Sequence, residues 1–251
     1  METLTPLTYL DRTRQPLHSL VFILPILVTY EMGVRIINYG SNVPRINGAD
    51  ALIKQGLQML GVYGSILSAC LIVATLLFLH AHSRQSWRFS IPAVLIMGIE
   101  SAVLALPLFP LGAAVRAVTD PSAALPMSWP SVMQGFSRDV VYMLGAGVYE
   151  EFLFRLLLLG GMLAFATNVL GCKGFRSQMT ALLISALAFA AIHHIGPEGD
   201  PITPYYFGFR TIAGVYFGWL FLVRGYGIAA GTHTWYNLFV KISVLINSSP
   251  A

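Results

Sequence analysis

Long apolar stretches separated by short polar connections are the dominant pattern of this 251-residue chain. A stretch of roughly 18 or more apolar residues with few charges is long enough for an α-helix to cross a bilayer. Seven stretches are of this kind, at residues 17–38, 57–80, 90–113, 140–170, 177–195, 205–223 and 226–247. The pattern predicts about seven membrane-spanning helices, and the longest stretch has room for an eighth element. We interpret the first stretch as a retained anchor.

The composition supports the same class of protein. Apolar residues make up 56% of the chain and charged residues 10%, whereas an ordinary soluble domain has about 25% charged residues. The mean hydropathy is +0.69. We therefore expect an all-α, polytopic integral membrane protein with seven to eight transmembrane helices, located in a cell membrane and more specifically in a bacterial cytoplasmic membrane.

The distribution of basic residues indicates which partners to expect. The isoelectric point is about 9.2, but the lysines and arginines are spread thinly among the loops. We interpret them as facing an anionic lipid leaflet, and we expect the lipid bilayer, and no nucleic acid, as a partner.

Cys70 and Cys172 are isolated in the sequence, so no disulfide framework and no thiol site is predicted.

The intramembrane polar residues are concentrated in the second half of the chain. We expect one membrane domain over residues 1–251, with an N-terminal three-helix part at 17–115 and a C-terminal group of helices at 134–247. Ionisable residues at membrane depth are rare, and they usually mark a functional path or a paired structural charge. The C-terminal helices are therefore the expected place of function.

The first polar cluster is the sequence YEEFLFR, which contains Glu150, Glu151 and Arg155. At about 100° per residue, Glu151 and Arg155 lie within roughly 40° of each other on a helix and can form an ion pair. Glu150 lies roughly 140° from Arg155 and has no partner on its own helix. The alternative to a functional carboxylate is a purely structural role, in which Glu151 and Arg155 form an ion pair and Glu150 lies at a contact between helices.

Two further helices carry histidines. Phe189 and His193 are four residues apart on one predicted face, as are His233 and Asn237. The neighbouring His194 is expected to take a packing or interfacial role. A carboxylate and an imidazole can remove a proton from a shared water, and histidine with asparagine can donate hydrogen bonds to an oxyanion. The polar residues of these three helices are therefore those of an acid–base hydrolase.

Glycine pairs predict how these helices approach one another. The motifs Gly214-x-x-x-Gly218 and Gly227-x-x-x-Gly231 occur in the last two apolar stretches. Small residues at this spacing allow helix backbones to pack closely in a membrane. Such packing brings His233 near the helices that carry the other motifs.

The three motifs in this order resemble those of a known family. Glu150-Glu151-x-x-x-Arg155, Phe189-x-x-x-His193 and His233-x-x-x-Asn237 are similar to the motif series of the CPBP family. This family comprises the type II CAAX prenyl proteases and the bacteriocin-processing, or Abi, group of glutamate intramembrane proteases. The resemblance covers about residues 140 to 240.

The resemblance implies a multi-helix fold around a polar cavity open to the membrane, and proteolysis without a covalent acyl-enzyme. Matched by position, Glu150 and His193 activate the water, and His233 and Asn237 stabilise the oxyanion. The supporting residues are Glu151, Arg155 and Phe189. The implied substrate is a membrane-anchored or lipid-linked peptide or protein, and no cofactor or metal is expected.

Two alternatives remain open from the sequence. In a zinc-dependent membrane metalloprotease, Glu150, His193 and His233 would be metal ligands with one open position. In a membrane transporter or immunity protein without enzymatic activity, the same charges would form a proton relay. Glu31 and Glu100 keep the relay alternative open, because both lie in or beside N-terminal apolar stretches without an obvious local partner.

Overall fold

The computed structural model of the protein describes residues 8–41, 45–120, 136–196 and 199–248. Its N-terminal helices are α1 (Tyr9–Thr13), α2 (Pro16–Ile37), α3 (Gly48–Met59), α4 (Leu67–His82), α5 (Ile91–Ala105) and α6 (Leu108–Thr119). The C-terminal half contains α7 (Phe136–Gly145), π-helical turns at Ala146–Glu150 and Phe152–Leu159, α8 (Gly160–Asn168), α9 (Phe175–Ile192), α10 (Pro204–Arg224) and α11 (Tyr226–Ser248). The described ranges contain no strand, which confirms the predicted all-α membrane class.

Fewer helices than predicted have the length and hydropathy of a membrane span. Among the residues that the structure describes, four segments qualify, at Pro16–Ile37, Ile91–Thr119, Phe175–Ile192 and Pro204–Arg224, and Leu67–His82 is a shorter apolar helix. The predicted count of seven to eight spans is therefore not confirmed. The predicted run 57–80 begins too early, because α3 ends at Met59 and Gly61 adopts a φ of 78°. This left-handed conformation suits glycine and marks a turn before α4 begins.

The glycine motifs lie at helix contacts, as predicted. A Cβ atom added to Gly214 on α10 would lie 3.0 Å from the Cα atom of Ala186 on α9. A Cβ atom on Gly227 of α11 would lie 2.9 Å from the Cα atom of Ser19 on α2. A Cβ atom added to the second glycine of each motif would lie even closer to a side chain of a neighbouring helix, Leu182 for Gly218 and Phe22 for Gly231. Close backbone approach therefore holds α10 against α9 and α11 against the N-terminal helices.

One buried cluster joins the two halves of the chain. Tyr30 of α2 and Ile72 of α4 belong to the same core as Val148, Tyr149 and Phe152 of the π-helical stretch. The rings of Tyr30 and Tyr149 pack with their centroids 5.2 Å apart. This core fixes the π-helical stretch on both sides of the two glutamates, and thereby positions them against α9 and α11.

Candidate active site

The helix that carries the two glutamates is wound more widely than the sequence predicted. Hydrogen bonds of the π type run through Ala146–Glu150 and Phe152–Leu159, on either side of Glu151. A π-helix closes its turns with i→i+5 hydrogen bonds and is found frequently at functional sites. The regular α-helical winding assumed for the YEEFLFR segment is therefore wrong, although its ion pair is present.

Glu151 and Arg155 form the predicted pair in the protein interior. Arg155 Nε lies 3.1 Å from Glu151 Oε2, and neither side chain is exposed to solvent. Arg155 Nη2 also donates a hydrogen bond of 3.2 Å to the carbonyl oxygen of Gly214 on α10. The guanidinium carbon lies 4.3 Å from the centroid of the Phe189 ring. Arg155 therefore connects its own helix to α9 and α10.

The other oxygen of Glu151 contacts a histidine that the sequence did not assign to it. His233 Nδ1 lies 2.8 Å from Glu151 Oε1. A carboxylate only accepts hydrogen bonds, so we assign the proton to Nδ1 of His233. This leaves Nε2 of His233 directed towards Glu150, at 3.9 Å from Oε2. Glu151 therefore balances a positive charge on one side and orients an imidazole on the other.

Glu150 directs one oxygen at each of two different groups. Its Oε2 atom lies 3.4 Å from Nε2 of His193, is buried, and accepts no hydrogen bond from the described residues. Its Oε1 atom lies 3.4 Å from the amide nitrogen of Asn47, in the connection before α3. The carboxylate without a partner on its own helix thus faces two histidines across the protein interior.

The hydrogen bond made by Nδ1 of His193 determines which ring nitrogen can accept a proton. Nδ1 of His193 lies 2.6 Å from the carbonyl oxygen of Phe189, which can only accept, so Nδ1 donates. Nε2 of the neutral ring then carries a lone pair and faces Glu150 Oε2, which is also an acceptor. Two acceptors repel each other unless a proton donor lies between them. A water molecule can donate to both atoms, so the pair is suited to holding and deprotonating water.

Aromatic rings fix both imidazoles. The ring centroid of Phe189 lies 4.6 Å from that of His193 and 5.9 Å from that of His233. Phe217 of α10 stacks on His233 at 4.6 Å with an angle of 15° between the planes. Only 2% of Phe217 is exposed, so its ring lies in the protein interior. The packing of α10 on α11 turns it inwards.

A cavity of about 190 Å³ joins these groups. It is lined by all four candidate catalytic residues, Glu150, His193, His233 and Asn237. The lining also includes three residues for which no role in the site was predicted, Asn47, Tyr142 and Arg210. Arg210 is a charged residue in an apolar helix, and this feature of the sequence could have indicated that it lies at the site. It forms an ion pair with Asp200 at 2.7 Å.

The positions of the side chains also bear on the zinc-ligand alternative. No group of three or more His, Cys, Asp or Glu side chains within the described ranges is arranged to hold a metal ion.

His194 is not among the cavity-lining residues. Its Nδ1 atom hydrogen-bonds the carbonyl oxygen of Asp200 at 2.8 Å, which agrees with the structural role predicted for it.

The two N-terminal acids have local partners. Glu100 forms two hydrogen bonds with Arg224, of 2.8 and 2.7 Å, and accepts a third from Tyr9. Burial and the neighbouring Glu100 carboxylate raise the pKa of the Tyr9 phenol, so Tyr9 stays a donor. Glu31 accepts a 2.6 Å hydrogen bond from Tyr149, and it lines an apolar groove of about 460 Å³ between α2 and α4. Both acids therefore have a structural explanation.

Comparison with known proteins identifies the C-terminal part of the chain. Residues 135–239 match the family model described as type II CAAX prenyl endopeptidase Rce1-like. This segment contains all three motifs and all four candidate catalytic residues. Comparisons with curated proteins and with solved structures gave no match. The match confirms the resemblance read from the motifs: residues 135–239 are similar to the type II CAAX prenyl endopeptidases, which are peptidases.

Proposed function

We propose that this protein is an intramembrane endopeptidase that hydrolyses a peptide bond with a water molecule activated by Glu150 and His193. The observation that carries the proposal is the position of Glu150 Oε2. This buried atom accepts no hydrogen bond from the described residues and lies 3.4 Å from Nε2 of His193. Nδ1 of His193 donates to a backbone carbonyl, so Nε2 of the neutral ring is an acceptor like Glu150 Oε2, and the two atoms can share one water.

In the first step, Glu150 removes a proton from the shared water as the water oxygen attacks the carbonyl carbon of the substrate. The carbonyl oxygen becomes an oxyanion. His233 and the amide of Asn237 donate hydrogen bonds to it, and such donors are most effective when they are fixed in advance. His233 donates to the oxyanion from Nε2 when both ring nitrogens carry a proton, while its Nδ1 group is held by the carboxylate of Glu151, 2.8 Å away.

In the second step, the carbon–nitrogen bond of the tetrahedral intermediate breaks. The leaving amine takes up the proton that Glu150 acquired from water, either directly or through His193. The products are a new carboxylate and a new amine, and the protein returns to its starting protonation state. No covalent intermediate with the protein is required.

The substrate proposed for this site is a membrane-anchored or lipid-linked peptide or protein. The cavity of about 190 Å³ is smaller than the 300–1,000 Å³ or so of a typical small-molecule pocket. It has room for the scissile peptide bond and its neighbours, while the rest of the substrate lies outside, against the apolar helices. A family of CAAX prenyl endopeptidases supports a peptide with a lipid-linked residue as the first substrate to test.

A cleavage assay tests the proposed function. Purified protein in detergent, or reconstituted in liposomes, is incubated with fluorogenic peptides that carry a lipidated cysteine near the carboxyl terminus, and the products are identified by mass spectrometry. We expect cleavage at one defined bond. Proton flux through liposomes without cleavage of any lipidated or membrane-anchored peptide would instead support the relay alternative.

A further inference from the structure

The side chain of Asn47 has a fixed orientation. Its Oδ1 atom accepts hydrogen bonds from the backbone N–H groups of Ala49, at 2.9 Å, and Asp50, at 3.4 Å, and thereby caps α3. Because both partners are donors, the atom facing them must be the oxygen, which settles the otherwise ambiguous orientation of the amide. The Nδ2 group therefore points the other way, towards Oε1 of Glu150 at 3.4 Å.

The backbone of Asn47 is held in place by a buried polar network. Its N–H group donates a 3.0 Å hydrogen bond to the hydroxyl oxygen of Tyr30, and that hydroxyl donates at 2.9 Å to Asp50. Asp50 is completely buried and also binds Lys54, at 2.8 Å, and Ser68. A fully satisfied buried network of this kind rigidifies the elements that it joins. Asn47 is thus anchored to α2, α3 and α4.

The two oxygens of Glu150 are distinguished by this arrangement. Oε1 faces the Asn47 amide at 3.4 Å, whereas Oε2 faces His193, also at 3.4 Å. An amide N–H can donate only to an oxygen that accepts, so it holds Oε1 in the accepting form. A proton that Glu150 removes from water is then carried by Oε2, the oxygen that faces the histidine.

We propose that Asn47 is a positioning residue of the active site, which orients the Glu150 carboxylate so that Oε2 takes the proton from water. This inference deepens the proposed function and rests on it. It also extends the site beyond the family match at residues 135–239, because Asn47 belongs to the N-terminal half. The hydrogen bond of 3.4 Å is long, and catalytic hydrogen bonds often shorten when substrate binds.

Substitutions at Asn47 separate positioning from helix capping, because the two roles predict different results for serine and aspartate at this position. Asparagine, aspartate and serine cap helices about equally well, and alanine does not. If Asn47 only caps α3, then Asn47→Asp and Asn47→Ser are both close to wild type, and Asn47→Ala loses stability. If Asn47 positions Glu150, then Asn47→Ser loses the donor and Asn47→Asp sets a second carboxylate against Glu150, so Asn47→Asp is the least active.

The experiment measures kcat, KM and the thermal midpoint of these variants with the substrate of the cleavage assay. We expect Asn47→Ser to keep its thermal midpoint and KM while kcat falls about tenfold to a hundredfold, as for loss of a hydrogen bond to a charged group. Asn47→Asp should lose more. Asn38→Ser is the matched control, because the Asn38 side chain holds the same connection by 2.8 Å hydrogen bonds to Arg45 instead of contacting Glu150.

Wild-type kcat in both Asn47→Ser and Asn47→Asp would overturn the inference, and so would an effect on KM alone. If Asn47→Asp fails to fold, the kcat of Asn47→Ser decides. Failure of the inference is distinct from failure of the proposed function. In the first case the wild-type protein cleaves and Glu150→Gln does not, whereas in the second case the wild-type protein itself does not cleave.

Discussion

Nδ1 of His233 lies 2.8 Å from Oε1 of Glu151. The same carboxylate faces Arg155 through its other oxygen, at 3.1 Å. An acid that the sequence paired only with an arginine on its own helix therefore also orients a histidine on α11. In the proposed reaction this contact makes Glu151 part of the oxyanion-stabilising apparatus, since it fixes the orientation of the His233 ring.

Replacement of Arg155 by methionine should destabilise the protein. Arg155→Met leaves Glu151 buried with His233 as its remaining partner among the described residues, and removal of one member of a buried ion pair typically costs about 3–5 kcal/mol. We expect a lower yield of folded protein, a lower thermal midpoint and loss of cleavage. Unfolding of the detergent-purified variant, followed by circular dichroism, measures the effect.

A double variant provides the control for this prediction. Combining Arg155→Met with Glu151→Leu removes both charges, and apolar replacement of a complete buried pair is often neutral or stabilising. The double variant should recover stability but not activity, because His233 has lost its carboxylate partner. A single Arg155→Met variant as stable as wild type would show that the ion pair contributes nothing to the fold.

Gly147 should be essential for the geometry of the site. A Cβ atom at this position would meet Oγ1 of Thr234 and would lie 2.7 Å from its backbone nitrogen and 2.9 Å from its Cα atom. Backbone atoms cannot move aside as a flexible side chain can, so Gly147→Ala must push the π-helical stretch away from α11. Because Thr234 follows His233, we expect the Glu151–His233 contact to lengthen and kcat to fall by at least about tenfold.

Gly161→Ala is the matched control for Gly147→Ala. An added Cβ atom at Gly161 has no atom within 4 Å among its described surroundings, and alanine favours a helix over glycine by about 1 kcal/mol. This variant should keep its activity and its thermal midpoint, or gain slightly in stability. Equal behaviour of the two variants, with full activity in both, would contradict the importance of close packing at Gly147.

The sequence predicted best those contacts that are made within one helix. The four-residue spacing of Glu151 and Arg155 gave their ion pair. It did not give the π winding around Glu150, because an apolar stretch specifies the length of a helix and not the register of its hydrogen bonds. Residues that meet across helices were missed for a related reason, since the stacking of Phe217 on His233 depends on three-dimensional packing that no local spacing encodes.

Chelation separates activation of water by acid–base groups from activation by zinc. We expect cleavage to persist after exhaustive treatment with a strong chelator, and elemental analysis of the treated protein to find less than stoichiometric zinc. Apoprotein made inactive by the chelator and restored by added zinc would reassign Glu150, His193 and His233 as metal ligands. Chelator already saturated with zinc serves as the control for effects of the chelator itself.

Replacement of Glu150 by glutamine tests the role of this residue as the base. Glutamine has the shape of glutamate but lacks the basic oxygen, and the change also removes a buried charge. Glu150→Gln protein should therefore purify normally, with a thermal midpoint equal to or above that of wild type. Glu31→Gln is the matched control, because its amide oxygen can still accept the hydrogen bond from Tyr149 and the residue lies outside the cavity.

The most direct measurement is the single-turnover cleavage rate of Glu150→Gln with saturating, pre-bound substrate. We predict that this variant binds the peptide as wild type does and cleaves it about two to four orders of magnitude more slowly, the usual effect of losing a general base. Glu31→Gln should cleave at the wild-type rate in the same assay. Cleavage by Glu150→Gln at close to the wild-type rate would contradict the assignment of Glu150 as the base and, with it, the proposed mechanism.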